Sequence, residues 1–479
     1  MRARLASALV AAACTLAAAV PSLAAAAAPS PAAAAAAEGA RAPVRIAPLP
    51  GGFAEPRIAV APDGRQWLAT TDPTTGTAGV WSSRDGGRSW RATPSPLPGQ
   101  SSVSGDVELA VTRTGRVIVS ELDSSGGFVT GYTDNRGETW TTSTGTRLPD
   151  ADRPWLAVGP DDRVTHQPRV YLLLHNLFSG SAHHEMLVLT SVDGGASFGA
   201  PVPIAPPGSQ AFLDLQCADS GAPSALVADP VTGGVLAVFG TRTSALGGCG
   251  ASATGTFEIN VVGETRIWAA RSPDGSLGSW TDTLAFDGGT HTVSASFETA
   301  ALDRAGTAYI AFAETAQPYP SFARAAVRYV SARRGATSWS PARTVAPGSP
   351  VGTYDPTIVA GAPGRLAIAY FAGHGSGTAP RWDLELADVT GADGPAPRVR
   401  RTVLDRRPAY GRSADEMGGS CAGGPLAGLQ NGFLCHRAPD NFGAALTRDC
   451  HLAVAYPMSR EAGGPDGTWA LQVAGRRWC

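Results

Sequence analysis

Short apolar runs, broken by turns that contain Gly or Asp, recur along this chain in one repeating unit. The unit is an apolar strand, a turn and a second apolar strand. It reads EPRIAVAPDGRQWLAT from Glu55, DVELAVTRTGRVIVSEL from Asp106 and DRPWLAVGPDDRVTHQPRVYLLLH from Asp152. Further copies are APSALVADPVTGGVLAVFG from Ala222, SFETAALDRAGTAYIAFAE from Ser296, YDPTIVAGAPGRLAIAYFAG from Tyr354 and DNFGAALTRDCHLAVAY from Asp440. Seven copies of short β runs joined by turn signals, spaced roughly 45 to 90 residues apart, indicate a propeller or a solenoid. Apolar positions at helical spacing are nearly absent, so the expectation is an all-β chain with little helix.

A second motif follows most copies. It is Ser83-Arg84-Asp85-Gly86-Gly87-Arg88-Ser89-Trp90, then Thr133-Asp134-Asn135-Arg136-Gly137-Glu138-Thr139-Trp140, then Ser191-Val192-Asp193-Gly194-Gly195-Ala196-Ser197-Phe198. Looser versions are SPDGSLGSW from Ser272 and SARRGATSW from Ser331. The spacing has a chemical reason. The Asp or Asn side chain bonds amides within its own turn. Gly takes the position of positive φ. The aromatic folds back between strands.

These segments resemble the Asp box, S-x-D-x-G-x-T-W, of sialidases and related propellers. The resemblance implies four-stranded antiparallel blades, the repeated unit supplying the inner two strands and the box turning between the outer two. Seven units predict seven blades, with six blades and a C-terminal hairpin as the alternative. The segment VRIAPL, Val44 to Leu49, is placed to complete the outer edge of the last blade and remove an exposed sheet edge. In the family the boxes lie away from the mouth where catalysis occurs.

Composition narrows the chemistry. Charged residues are only 16% of the chain and the formal net charge is -2, so no basic excess points to nucleic acid or to an anionic lipid surface. All 38 basic residues are Arg, which excludes lysine Schiff-base chemistry and favours forked binding of carboxylates. GC-rich coding bias is the simpler explanation of the missing Lys and is preferred to a functional one. Arg2 and Arg4 precede an apolar Leu5–Val20 stretch, and small residues near Ser22, Leu23 and Ala24 supply a cleavage context. Residues 1–24 therefore read as an export signal, 25–43 as an Ala/Pro-rich linker and 44–479 as one propeller domain. Export to the cell exterior is expected, with lipid anchoring at Cys14 as the lesser alternative. No other stretch is long and apolar enough to span a membrane.

Removing the signal leaves six cysteines, an even number that implies disulfides in an exported chain. Nearest-neighbour pairing, Cys217 with Cys249, Cys421 with Cys435 and Cys450 with Cys479, encloses one local segment each. The region from Arg406 to Ala438 reads as a disulfide-held excursion of the last blade. His183-His184-Glu185 reads as solvated loop. No Cys/His spacing suggests zinc. No cofactor is expected, apart from a structural Ca²⁺ that oxygen ligands can hold.

The starts of the inner strands line one mouth of a propeller. Acidic residues recur there: Glu55, Asp106, Asp152, Asp219, Glu298, Asp355 and Asp440, accompanied by Arg57 and Arg153. Such acids either cap turns or make a polar mouth for a hydroxylated ligand. The sialidase resemblance implies three arginines for the sugar carboxylate, an Asp acid/base and a Tyr nucleophile helped by a Glu. A Tyr suits an anionic substrate because a carboxylate nucleophile would repel it.

Arg57 in EPRIAV is similar to the first arginine, with the Pro before it instead of after the Ile. Arg266 in ETRIWAARSPDG and Arg328 in AAVRYVSARRG precede the fourth and fifth boxes, like the second and third. Asp72 lies between Arg57 and the first box, where the acid/base stands, and Tyr354 resembles the nucleophile segment. Phe371 stands near the point where the family has a Glu steadying the first arginine. Glu258 and Glu264 precede the second arginine, as the partner of the Tyr should, whereas Glu298 begins a strand. The expectation is a monomeric exo-glycosidase acting on a terminal sialic acid or related acidic sugar. The alternative is a non-catalytic propeller that binds glycan or protein.

Overall fold

The structure is a computed structural model that describes residues 43–48, 55–71, 77–98, 106–122, 127–146, 148, 151–176, 184–216, 223–243, 264–293, 298–317, 323–375, 381–406, 441–458 and 467–479. It forms a seven-bladed β-propeller. Seven antiparallel sheets follow one another along the chain. Their inner strands are Arg57–Val60, Val107–Val111, Ala151–Asp161, Pro223–Ala228, Thr299–Leu302, Thr353–Ala360 and Gly443–Leu446. Each opens a blade of four strands, and blade 5 carries one further short strand, Thr292–Val293.

Neighbouring inner strands touch all the way round, and blade 7 meets blade 1. The closure comes from the N-terminal strand Val44–Pro48, which pairs with Gly467–Val473 as the fourth strand of blade 7. Its outward edge is thereby shared between the two ends of the chain. The C-terminal strands are part of the ring, so the alternative of six blades and a separate hairpin is not the architecture.

Both faces of a blade pack on neighbouring blades, which is why the middle strands are continuous apolar runs and not alternating ones. The second strand of blade 3, Pro168–Asn176, has six consecutive buried residues. Trp155, Tyr171 and Val188 of blade 3 join Leu226, Phe239 and Trp268 of blade 4 in one inter-blade cluster. Equivalent clusters occupy the other seams.

The first turn motif, at the end of the third strand of blade 1, closes as its residues require. Ser83 Oγ donates to Asp85 Oδ1 at 2.8 Å, and the amides of Arg88 and Ser89 donate to the same oxygen at 2.9 and 3.0 Å. These bonds hold the Asp85 carboxyl well below the usual range, the Ser89 hydroxyl contributing most. Asn135 and Asp193 repeat the arrangement in blades 2 and 3. The looser copy in blade 5 closes differently, Ser331 N–H donating to Ser340 Oγ at 3.0 Å.

At the C-terminus, Cys450 and Cys479 form the expected disulfide, with Cα atoms 5.3 Å apart. Trp478, fully buried beside it, accepts from the Ala362 amide and ties the end of the chain to blade 6. Cys217, Cys249, Cys421 and Cys435 lie outside the described residues, as does nearly all of the segment after Arg406.

Candidate functional site at the channel mouth

All seven inner strands begin at the same end, and second strands finish there, so one mouth gathers the strand-start residues of every blade. Four of these starts contain an X-Pro step: Glu55-Pro56, Arg153-Pro154, Ala222-Pro223 and Asp355-Pro356. Proline fits the first residues of a strand because it has no N–H to offer the ladder. Arg153 and Asp355 also sit at φ 59° and 54°, in the left-handed region. Each lies where the pairing of its inner strand slips register, between Asp152 and Trp155 and between Tyr354 and Thr357. Two blades therefore carry the same strained bulge at the mouth, a feature that clusters at functional positions.

An ion-pair network crosses blades 7, 1, 2 and 3. Arg153 Nη1 lies 2.6 Å from Glu55 Oε1 and 2.8 Å from Asp106 Oδ1, so one guanidinium joins three blades. Asn441 Nδ2 donates to the other Glu55 oxygen at 3.2 Å. Arg57 Nε is 3.2 Å from Glu108 Oε2, and its guanidinium stacks 4.3 Å from the centroid of the Trp155 ring. Among the described residues, no hydrogen bond or ion pair engages the Nη1 and Nη2 of Arg57. Burial raises the Glu108 carboxyl; Arg57 and the Leu109 amide oppose the rise, and Glu55 adds to it.

The opposite side of the mouth is carboxyl-rich. Glu298 is completely buried, and burial pushes its carboxyl above the ordinary range; the Ser224 hydroxyl and the Glu264 carboxyl beside it oppose the shift. Two carboxyls this close cannot both ionise readily, so the pair retains a proton to higher pH than a lone Glu. The next residue along, Thr299, donates its hydroxyl to Pro356 O of blade 6 at 3.2 Å. The strands of Glu298 and Tyr354 are thus neighbours, while the Glu298 carboxyl is turned to blade 4.

The six residues singled out from sequence are distributed as follows. Arg57 lines the mouth on the inner strand of blade 1. Tyr354 is on the inner strand of blade 6, paired with Phe371. Glu298 begins that of blade 5. Arg266 and Arg328 lie on the third strands of blades 4 and 5, towards the same end. Both are held by carboxylates: Arg266 by Asp214 and Asp287, each at 3.0 Å, and Arg328 by Glu314. Asp72 lies outside the described residues, directly after Thr71, and Asp219, Asp440 and Glu258 are outside them as well.

Sequence reasoning missed several members. Glu108 does what the Glu expected near Phe371 would do, steadying Arg57 from another blade. Its signal is its place two residues after Asp106, on the same side of a strand. Glu264 and Glu298, alternatives along the sequence, are neighbours in space. His184 belongs to no solvated loop: its Nε2 lies 2.9 Å from His175 Nδ1, and His175 Nε2 lies 3.6 Å from Asp152 Oδ2. His183 is outside the described residues. Among the described residues, no group of three or more His, Cys, Asp or Glu side chains is arranged to hold a metal, and no helix is long and apolar enough to cross a membrane.

No protein-family profile and no curated protein matches the chain. Solved structures do. An ulvan lyase from a polysaccharide lyase family is similar at 12% identity and a TM-score of 0.49, over 92% of this chain and 94% of that one. A Penicillium chrysogenum alpha-L-arabinanase, complexed with arabinobiose, is similar at 11% identity and 0.45, over 91% and 98%. A leech intramolecular trans-sialidase is similar at 10% identity and 0.41, over 90% and 70%.

Proposed function

We propose that this chain is an exported glycan-acting propeller that hydrolyses a terminal acidic sugar, sialic acid or a relative, at its channel mouth. The observation that carries the reading is Arg57: a guanidinium at the mouth, backed by Glu108 and Trp155, with both terminal nitrogens unengaged among the described residues. A planar fork in that state suits a carboxylate.

In this reading Arg57 binds the sugar carboxylate. Tyr354 attacks the anomeric carbon, and its proton passes to Glu298, with Glu264 beside it. Asp72 protonates the leaving oxygen. Arg266 and Arg328, already neutralised by carboxylates, contribute to the shape of the mouth more than to anion binding. Turnover of a fluorogenic panel of sialosides and uronides by the purified chain tests the reading. Cleavage that Arg57→Ala weakens mainly through KM supports it; a chain that cleaves none of the panel ends it.

The network around Arg153 favours a second reading, a propeller that binds an acidic glycan without cleaving it. Three blades locked by one partly buried guanidinium make a rigid mouth, which suits binding. Salt-sensitive retention of an acidic glycan, with no turnover across the panel, is what this reading expects.

A further inference from the structure

Blades 1 and 2 carry the same two residues where the second strand begins, Gly64-Arg65 and Gly115-Arg116. This turn lies at the end of the ring away from the mouth, where the third strand of each blade runs into its box. Gln66 pairs with Ser83 and Val117 with Thr133, so register sets Arg65 across from Arg84 and Arg116 across from Asp134. Arg116 takes Asp134 in a fork, Nε at 2.7 Å and Nη2 at 2.8 Å, and its Nη1 donates to Asp193 O of the blade 3 box at 3.0 Å. Arg65 meets a guanidinium where its counterpart meets a carboxylate.

Arg65 is nevertheless only 7% exposed, its guanidinium 5.6 Å from the centroid of the fully buried Trp67 ring. The blade 2 box lies against the same ring: a Cβ on Gly137 would come within 3.3 Å of it, and Arg136 is the residue before. Among the described residues, no hydrogen bond or ion pair engages the side chain of Arg65, Arg84 or Arg136, and Arg65 Nε is completely enclosed without an acceptor. The acids of these turns are committed elsewhere. Asp63 Oδ1 accepts the Arg65 amide at 3.0 Å, Asp85 is closed within its own turn, and Asp134 belongs to Arg116. Burial pulls the Arg65 guanidinium below its usual range; Arg84 and Arg136 add to the shift and Asp63 opposes it.

An enclosed guanidinium that faces like charges is costly until a counter-charge reaches it. We propose that Arg65, Arg84 and Arg136 form an anion site at the seam of blades 1 and 2, on the end of the ring opposite the mouth, for a doubly charged tetrahedral oxyanion, a sulfate or phosphate group. Three cations with no carboxylate paired to them match a dianion better than the single charge of a sugar carboxylate, the ligand read for Arg57. Arg65 offers a forked donor held against Trp67, and the two exposed arginines supply charge beside it. The site shares no residue with the mouth and does not depend on the hydrolytic reading. The group arrives as a free ion or as an ester on a glycan, and both sources present the same oxygens.

Isothermal titration of the whole secreted chain with sodium sulfate and with sodium phosphate, at an ionic strength held constant with chloride, tests the site. Saturable binding is expected, with a thermal midpoint raised by about 1–2 °C at roughly a tenfold excess over Kd. Arg84→Asp gives blade 1 the carboxylate that Arg116 has in blade 2. It should weaken binding about tenfold or more and raise the midpoint in chloride alone. Arg136→Gln, at an exposed turn, should also weaken binding, whereas Arg57→Ala should bind as wild type does. A sulfated disaccharide and its unsulfated form separate the two sources. A response to the inorganic ions alone assigns a free ion, and an equal response to the sulfated sugar only assigns the ester as well. No saturable binding of either ion, or binding that Arg84→Asp leaves unchanged, overturns the site. Binding that Arg57→Ala abolishes moves the anion to the mouth and overturns it too.

Discussion

The guanidinium of Arg57 lies 4.3 Å from the centroid of the Trp155 ring, although the two residues belong to inner strands two blades apart. Trp155 is itself fixed, its Nε1 donating to Pro223 O at 2.6 Å. The stack holds the fork in place without consuming its terminal nitrogens. Trp155→Leu should therefore weaken binding of an acidic sugar by an amount set by a partly desolvated cation–π contact, about 1–2 kcal/mol. Arg57→Ala should cost more and flatten the salt dependence of binding. Titration of the sugar acid at two ionic strengths checks both, and equal affinity in Arg57→Ala would remove Arg57 from the site.

Arg153 supplies a separate prediction about stability. Its guanidinium bridges Glu55 and Asp106, whose side chains are only 10% and 11% exposed. Arg153→Met leaves two nearly buried carboxylates facing each other, which should cost about 3–5 kcal/mol. A double-mutant cycle with Glu55→Gln should recover part of that loss, because the repulsion disappears with the charge. Urea unfolding of the four chains measures it, and strictly additive losses would show that the pair does not interact.

These two arginines also show what the sequence could and could not reveal. The blades were legible because each repeat writes its own turn: Ser83, Asp85 and Ser89 satisfy one another locally, and local chemistry is visible in a string. Arg57 was visible as a polar residue at an inner-strand start. Its partners were not, because Glu108 and Trp155 come from the next two blades and are set by how the ring closes. Asp152 and Arg153 are adjacent in sequence, yet one meets His175 within its own blade while the other spans three blades. The strained φ at Arg153 that makes this divergence possible has no mark in composition or spacing. The fold therefore came through whole, and the mouth came through as a list of residues without their pairings.

A pH effect follows from the only regular helix among the described residues, Gln210–Leu215. Its N-cap, Ser209, accepts from the Phe212 amide at 3.1 Å and donates to Asp282 Oδ2 at 3.2 Å. Burial raises Asp282 from an ordinary 3.8 to about 6, against the opposing bond from Ser209. A folded-state value above the unfolded one means that the folded chain binds the proton more tightly. The resulting stability is fully present below about pH 4, falls as pH rises to about 6 and is flat beyond. Asp282→Asn keeps an acceptor for Ser209 and removes the ionisation. Its stability relative to wild type should rise between pH 4 and 6, read as urea midpoints across pH 4–8. A difference that is constant with pH would show that Asp282 titrates normally.

The seam between blades 7 and 1 gives the last test, because it connects ring closure to the site. A Cβ added at Gly443 would come within 2.8 Å of Ile58 N and 2.9 Å of both Arg57 Cα and Pro56 O. All three are backbone or Cα atoms, so no side chain can swing aside. Gly443 does not have positive φ, so the obstacle is the close approach and not the conformation. Gly443→Ala must therefore push the two inner strands apart where Arg57 is held, at about the 1–3 kcal/mol typical of overpacking. Moving the Arg57 backbone also moves its fork relative to Glu108 and Trp155, so affinity for an acidic sugar should fall together with stability. Asn441→Ala, two residues before Gly443, loses a hydrogen bond to Glu55 but forces nothing apart, and should destabilise while leaving affinity nearly unchanged. If Gly443→Ala is less stable but binds the sugar as wild type does, then the seam holds the ring without holding the site.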